Sequence, residues 1–194
     1  MTYRRIYRFT VIIALAGLIA YKFRKEPEPV FYDETFQWKI KIPENLTALN
    51  SETWRRKETE DCATQIFAFY DGPYNAIEAT AEPFDPEIDG DFFENVKKIN
   101  ELEYFIVSQI PASTVDTLTA IERIDNLDFY VFKIKITYPD EMITNMFMYR
   151  RLFDKQSFGL SIIYQDEEIG QKMLAAWENS TLSFYSFDTW FSKF

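Results

Sequence analysis

The chain has 194 residues, enough for one domain and an appendage, and its content of 47% hydrophobic and 18% aromatic residues excludes a disordered chain. Residues 1–25 hold six of the 21 basic residues and no acidic one, which leaves 15 basic against 31 acidic residues in 26–194, a net charge of −16. That charge repels phosphate backbones and thereby excludes nucleic acid as a partner, and it favours a protein partner with a basic surface.

The chain opens on an apolar segment, residues 9–23, in which Lys22 is the single charged residue. As a helix this segment is about 22 Å long, short of the roughly 30 Å hydrocarbon core of a bilayer. Counting from Ile6 adds one turn, because Arg8 and Lys22 can extend their charges to the headgroups. Its length also suits the apolar region of a signal peptide, or a core helix.

Cleavage of a signal peptide needs small residues three positions and one position before the cut. Ala14 and Ala16 have that spacing but lie too early in the apolar run, and Ala20 is preceded by Leu18. We therefore predict an uncleaved membrane anchor in residues 1–25, with a cleaved signal and a buried helix as the alternatives. Because a very short basic N-terminus usually stays in the cytoplasm, we expect the domain to be extracytoplasmic, in the cell envelope.

Residues 26–34 contain two prolines and are interpreted as a spacer before a globular domain over 35–184. The stretch 36–43 alternates strictly between apolar and polar residues, which predicts a half-buried strand. Further strands are predicted at 65–70, 76–84, 115–124, 127–138, 142–153 and 157–165, with a short helix near 51–59.

Two longer segments have the 3.6-residue spacing of amphipathic helices. Residues 91–109 place Phe92, Val96, Ile99, Glu103 and Ile106 near one stripe, and residues 166–180 align Ile169, Met173 and Trp177. The expected fold is α+β, with a mostly antiparallel sheet of about six strands flanked by helices.

This order of elements resembles the PsbP/Mog1-like α/β/α sandwich superfamily. The stretches that carry the resemblance are 38–49, 84–99, 127–136 and 175–184, and 50–64 shows the least of it. The resemblance implies a sheet covered by helices on both faces, and a role as an accessory protein more than as an enzyme. It carries over no residue roles, because the superfamily has no shared catalytic set.

The chain contains no histidine, which removes Ser-His-Asp and Cys-His hydrolysis, HExxH metalloproteases and most zinc or iron sites. With few glycines it has neither a P-loop nor a GxGxxG motif. Cys62 stands alone beside Glu60 and Asp61, which raise the pKa of a thiol, so it is read as an ordinary small residue. No catalytic residue and no cofactor is assigned.

The stretch 85–91 imitates the first half of a calcium loop through Asp85, Glu87, Asp89 and Asp91, which are weak candidates for metal ligands. The closing ligand is missing, because Val96 stands where such a loop needs glutamate. A turn followed by a helix N-cap is the favoured interpretation, and weak metal binding the alternative.

The C-terminal tail, residues 185–194, continues an aromatic run that begins at Phe184. Its rings either fold back onto the sheet or form a patch for a partner or the membrane interface. Taken together, the sequence predicts a non-enzymatic, membrane-anchored accessory or binding domain. The alternatives are a carboxylate-dependent hydrolase and an immunity-type protein that neutralises a basic toxin.

Overall fold

The computed structural model describes residues 30–44, 46–48 and 64–182. Within these ranges the elements follow the order β1 (Val30–Asp33), β2 (Trp38–Lys41), β3 (Thr47–Ala48), β4 (Thr64–Tyr70), β5 (Ala76–Pro83), α1 (Pro86–Asp89), α2 (Phe92–Ser108), β6 (Thr114–Ile124), β7 (Leu127–Thr137), β8 (Ile143–Phe153), β9 (Gln156–Tyr164) and α3 (Glu167–Glu178). The predicted anchor 1–25, the helix near 51–59, Cys62 and the tail 185–194 lie outside the described residues.

The strands β3 to β9 form one antiparallel sheet with the spatial order β3-β4-β5-β9-β8-β7-β6. The α+β class with a mostly antiparallel sheet is therefore confirmed. The sheet has seven strands rather than about six, because the short β3 adds to six strands that the periodicity predicted.

The alternating stretch 36–43 does form a strand, but it does not join the large sheet. Its central part, β2, pairs with β1 in a separate antiparallel hairpin, and β1 lies within the predicted spacer 26–34. The apolar residues of this stretch are all buried, as the alternation predicted. A bridge between Lys39 and Thr181 ties the hairpin to the chain that follows α3.

The main hydrophobic core lies between one face of the sheet and a layer made of α3 and the hairpin. Trp38 of the hairpin and Met173 and Trp177 of α3 are fully buried against Phe129 and Phe158 of the sheet. Aromatic burial of this kind is a large source of stability, because each ring removes a large apolar area from water. The predicted inward residues of α3 are confirmed.

A second, smaller core lies beneath α2 on the opposite face of the sheet, where Val107 packs with Phe132, Ile134, Ile136 and Met148. The molecule is therefore layered as helix, sheet, and helix plus hairpin. One residue of the predicted stripe is corrected, because Ile106 is exposed and Val107 is buried. Ile106 and Val107 follow Glu103 by three and four residues, so both fit the helical spacing. Val107 is the one that packs against the sheet.

The helices begin at aspartate caps. The Asp91 carboxylate accepts a hydrogen bond from the backbone N–H of Glu94 (3.0 Å), and the Asp166 carboxylate accepts one from Ile169 (3.1 Å). Such caps satisfy N–H groups that have no partner within the helix. Among the described residues, none of the helices has the length and apolar character needed to cross a bilayer.

Candidate functional site

The four weak metal candidates lie at the junction of α1 and α2, where their carboxylates serve the backbone. Asp85 caps α1 through the N–H of Glu87 (3.0 Å), and Asp89 accepts a hydrogen bond from the N–H of Asp85 (2.7 Å). Asp91 caps α2, and Gly90 between them has a φ of 79°. Within the described ranges, no group of three or more acidic or Cys side chains is arranged to hold a metal ion.

The junction of α1 and α2 is acidic on its outer surface. The carboxylates of Asp85, Glu87, Asp89, Asp91, Glu94 and Glu101 are all on exposed residues, against the exposed Lys97 and Lys98. Ile88 of α1 is exposed in the middle of these acids. The geometry suits contact with a basic surface better than capture of a single ion.

A small cavity lies between the N-terminal half of α2 and the sheet. Its volume is about 50 Å³, and it is lined by Glu82, Pro83, Phe84, Asp89, Phe92, Asn95, Val96, Ile99, Arg150 and Ser157. That volume accommodates a few water molecules, whereas pockets for drug-sized ligands measure about 300–1,000 Å³.

Arg150 of β8 is the one positively charged side chain that lines this cavity in the described part of the chain. Among the described residues its buried Nε has no hydrogen-bond partner, and its guanidinium forms none of the salt bridges. Burial lowers the pKa of Arg150, and the negative charges of Glu82 and Glu103 partly offset this.

The charges around Arg150 decide what the cavity can hold. Asp89 lines it together with Glu82, and Glu103 acts on the guanidinium from α2, so acids outnumber the one cation. The negative charge of these carboxylates opposes the binding of a small anion beside Arg150. We interpret Arg150 as a structural cation whose charge is balanced by the surrounding carboxylates.

The neighbouring Arg151 points to the opposite face of the sheet, as alternation along a strand predicts. Its Nη1 donates a hydrogen bond to the backbone carbonyl of Asp128 (2.6 Å), and its guanidinium lies 5.3 Å from the ring centre of Phe153. The pair Arg150 and Arg151 is therefore split between the two faces of the sheet.

The outer surface of α2 carries a cluster that sequence analysis missed. Leu102, Phe105 and Ile106 are 57%, 62% and 55% exposed, and their spacing of three and four residues places them side by side on the helix. We call these three residues the α2 patch. Large apolar side chains grouped in this way mark contact surfaces more often than isolated ones do. The signal was present in the sequence, since α2 has more apolar residues than one inward stripe can hold.

No family model and no curated protein matches this sequence. Solved structures do match it in fold. The chain is similar to the solution structure of cyanobacterial PsbP (CyanoP) from Synechocystis sp. PCC 6803, with a TM-score of 0.52 and 5% sequence identity, over 80% of this chain and 92% of that chain. The predicted resemblance to the PsbP-like fold is thereby confirmed.

A second similar structure comes from Bacteroides thetaiotaomicron VPI-5482, with a TM-score of 0.48 and 10% identity over 82% of this chain and 49% of that chain. A score this low carries no argument. At 5% identity the likeness to CyanoP concerns the fold alone and transfers no activity.

Proposed function

We propose that this protein is a non-enzymatic accessory domain, held at a membrane by residues 1–25, that binds a protein partner through the α2 patch. In this proposal the domain lies on the extracytoplasmic side of the membrane. The observation that carries the proposal is the α2 patch itself, since Leu102, Phe105 and Ile106 expose apolar area on a helix that already buries another stripe against the sheet.

The expected partner has an apolar contact surface with basic residues around it. The acidic junction of α1 and α2 lies at the N-terminal end of the helix that carries the α2 patch, and residues 26–194 carry a net charge of −16. Opposite charge at the rim of an interface accelerates association and selects among partners, while the apolar centre supplies affinity. An immunity-type protein that neutralises a basic toxin is one version of the same proposal.

A carboxylate-dependent hydrolase is the alternative, and one observation favours it, because Glu82 and Asp89 both line the cavity beneath α2. The volume of about 50 Å³ weighs against it, since a sugar ring with its scissile bond does not fit. The backbone hydrogen bond that Asp89 accepts also occupies one oxygen that such a mechanism needs.

Membrane attachment is tested by fractionation of the full-length chain. We expect it in the membrane pellet, resistant to alkaline carbonate, with an N-terminus that retains residues 1–25, because cleavage lacks a suitable pair of small residues. A matched chain without residues 1–25 should move to the supernatant. A soluble product that starts near Tyr21 would contradict the anchor and support a cleaved signal.

The α2 patch is tested by site-specific photo-cross-linking in the organism that produces the chain. A photoreactive phenylalanine analogue replaces Phe105 in one sample and Ala175, an exposed residue of α3, in the control. We expect a discrete protein adduct at 105 that is absent at 175. The Leu102→Glu/Ile106→Glu double variant should abolish it, because it places charge in the apolar contact.

The adduct supports the proposal when the purified partner binds the full-length chain and its affinity falls as the ionic strength rises. Three other outcomes contradict it: equal adducts at both positions, an adduct with a second copy of the chain, or an adduct with lipid alone.

A further inference from the structure

The outer edge of β6 is the longest edge of the sheet. β6 has 11 residues and stands last in the strand order, so β7 is its one neighbour among the described strands. The opposite edge, β3, has two residues. Long uncovered edges are templates for a further strand, and native proteins cover or blunt them.

The turn between β6 and β7 determines which backbone groups of β6 point away from β7. Asp125 and Asn126 have φ values of 45° and 64°, and Ile124 pairs with Leu127, so this is a two-residue hairpin of the type that closes with a hydrogen-bonded pair. Because hydrogen-bonded and non-hydrogen-bonded pairs alternate, the outward N–H and C=O groups belong to the odd-numbered residues. These residues are Val115, Thr117, Thr119, Ile121 and Arg123.

The central part of this edge, residues 117–121, has no charged side chain to discourage pairing. β6 contains neither proline nor lysine, and its charged residues, Asp116, Glu122 and Arg123, lie towards its two ends. Leu118 is 58% exposed and Ile121 is 66% exposed, and the alternation of the strand places them on opposite faces of the sheet. A strand laid beside β6 would cover apolar area on both faces.

Leu182, the last described residue, lies at one end of this edge. The backbone N–H of Leu182 donates a hydrogen bond to Asp125 Oδ2 (2.8 Å), at the turn where β6 ends, and Leu182 is buried in the main core. A segment that starts there and runs along the edge must run opposite to β6. Residues 183–194 are 12 residues, which match the 11 of β6 in extended length, and they lack glycine and proline. Their aromatic content has high strand propensity.

We propose that the outer edge of β6 is a strand-acceptor site whose ligand is residues 183–194 of the same chain, paired antiparallel to β6. The rings of this segment then lie along the sheet, beside Leu118 on one face and Ile121 on the other. This inference is independent of the α2 patch, so either can fail without the other.

Amide hydrogen exchange of the full-length chain in detergent micelles tests the site. The variant is Asp188→Pro/Thr189→Pro. Because the N–H groups of adjacent residues in a strand point to opposite edges, one of the two prolines removes an N–H that points at β6. The matched control is Asp188→Ala/Thr189→Ala. We expect exchange at Thr117, Thr119 and Ile121 to be roughly tenfold faster or more in the proline variant than in the control. The amide of Leu118, which bonds to β7, should exchange equally in both and shows that the sheet remains folded.

Two results would overturn the proposal. The first is equal exchange at Thr117, Thr119 and Ile121 in the proline variant and the alanine control. The second is protection of these amides that rises with protein concentration, which would identify a second copy of the chain as the occupant of the edge.

Discussion

Replacing Trp177 by alanine is expected to lower the free energy of unfolding by about 3–5 kcal/mol. The indole has 0% exposure and contacts the rings of Trp38, Phe129, Tyr149 and Phe158 at centroid distances of 5.2–6.2 Å. Alanine leaves a cavity that these rings cannot fill without abandoning their own packing. Urea denaturation of the full-length chain, followed by circular dichroism, measures the change.

Two variants make this test specific. Trp177→Phe should cost less than Trp177→Ala, because it keeps a ring, and the indole N–H has no hydrogen-bond partner among the described residues to lose. Leu102→Ala, on the exposed α2 patch, should change the free energy of unfolding by less than about 0.5 kcal/mol. A loss below about 1 kcal/mol for Trp177→Ala would show that the main core is not packed as described.

Replacing Gly170 by alanine is expected to destabilise the domain by about 1–3 kcal/mol, although alanine is the better helix former. Gly170 lies in α3 directly over the ring of Tyr164. A Cβ at this position would stand 2.6 Å from Cε2 of that ring, and closer still to Cδ2 and Cγ. Tyr164 is itself buried, so the ring has little room to move. Thermal unfolding of the two proteins gives the difference.

A double-mutant cycle separates this contact from any general effect on α3. In a Tyr164→Leu background the ring is gone, and the same Gly170→Ala change should cost less than half as much, or become stabilising. An equal loss in both backgrounds would place the strain elsewhere than at the ring of Tyr164.

Local patterns in the sequence predicted most of the elements of the fold. The alternation in 36–43 correctly predicted which side chains are buried, because the two faces of a strand are separated by a period of two whatever the strand pairs with. It could not predict that β2 would pair with β1 instead of joining the large sheet. The pairing of strands depends on which strand edges meet in the folded chain, and a local pattern in the sequence does not contain that information.

The candidate site was less predictable than the fold. The acids at 85–91 were identified from sequence, and their favoured interpretation as a turn followed by a helix N-cap agrees with the geometry of Asp91. Asp85 caps α1, a helix that the sequence did not predict. The sequence did not predict that Arg150 lies near Glu82 and Glu103, because these three residues belong to β8, β5 and α2 respectively. Their separation along the chain exceeds the reach of any periodic signal.

The sequence by itself determined the charge balance, the exclusion of histidine-dependent chemistry, the α+β class and the inward residues of α3, since these follow from composition and from periods of two and 3.6 residues. The tertiary structure alone decided that Val107 is buried in place of Ile106, and that β6 stands last among the described strands of the sheet. Both depend on which element lies next to which, and that is settled by the packing of the whole core rather than by any single segment.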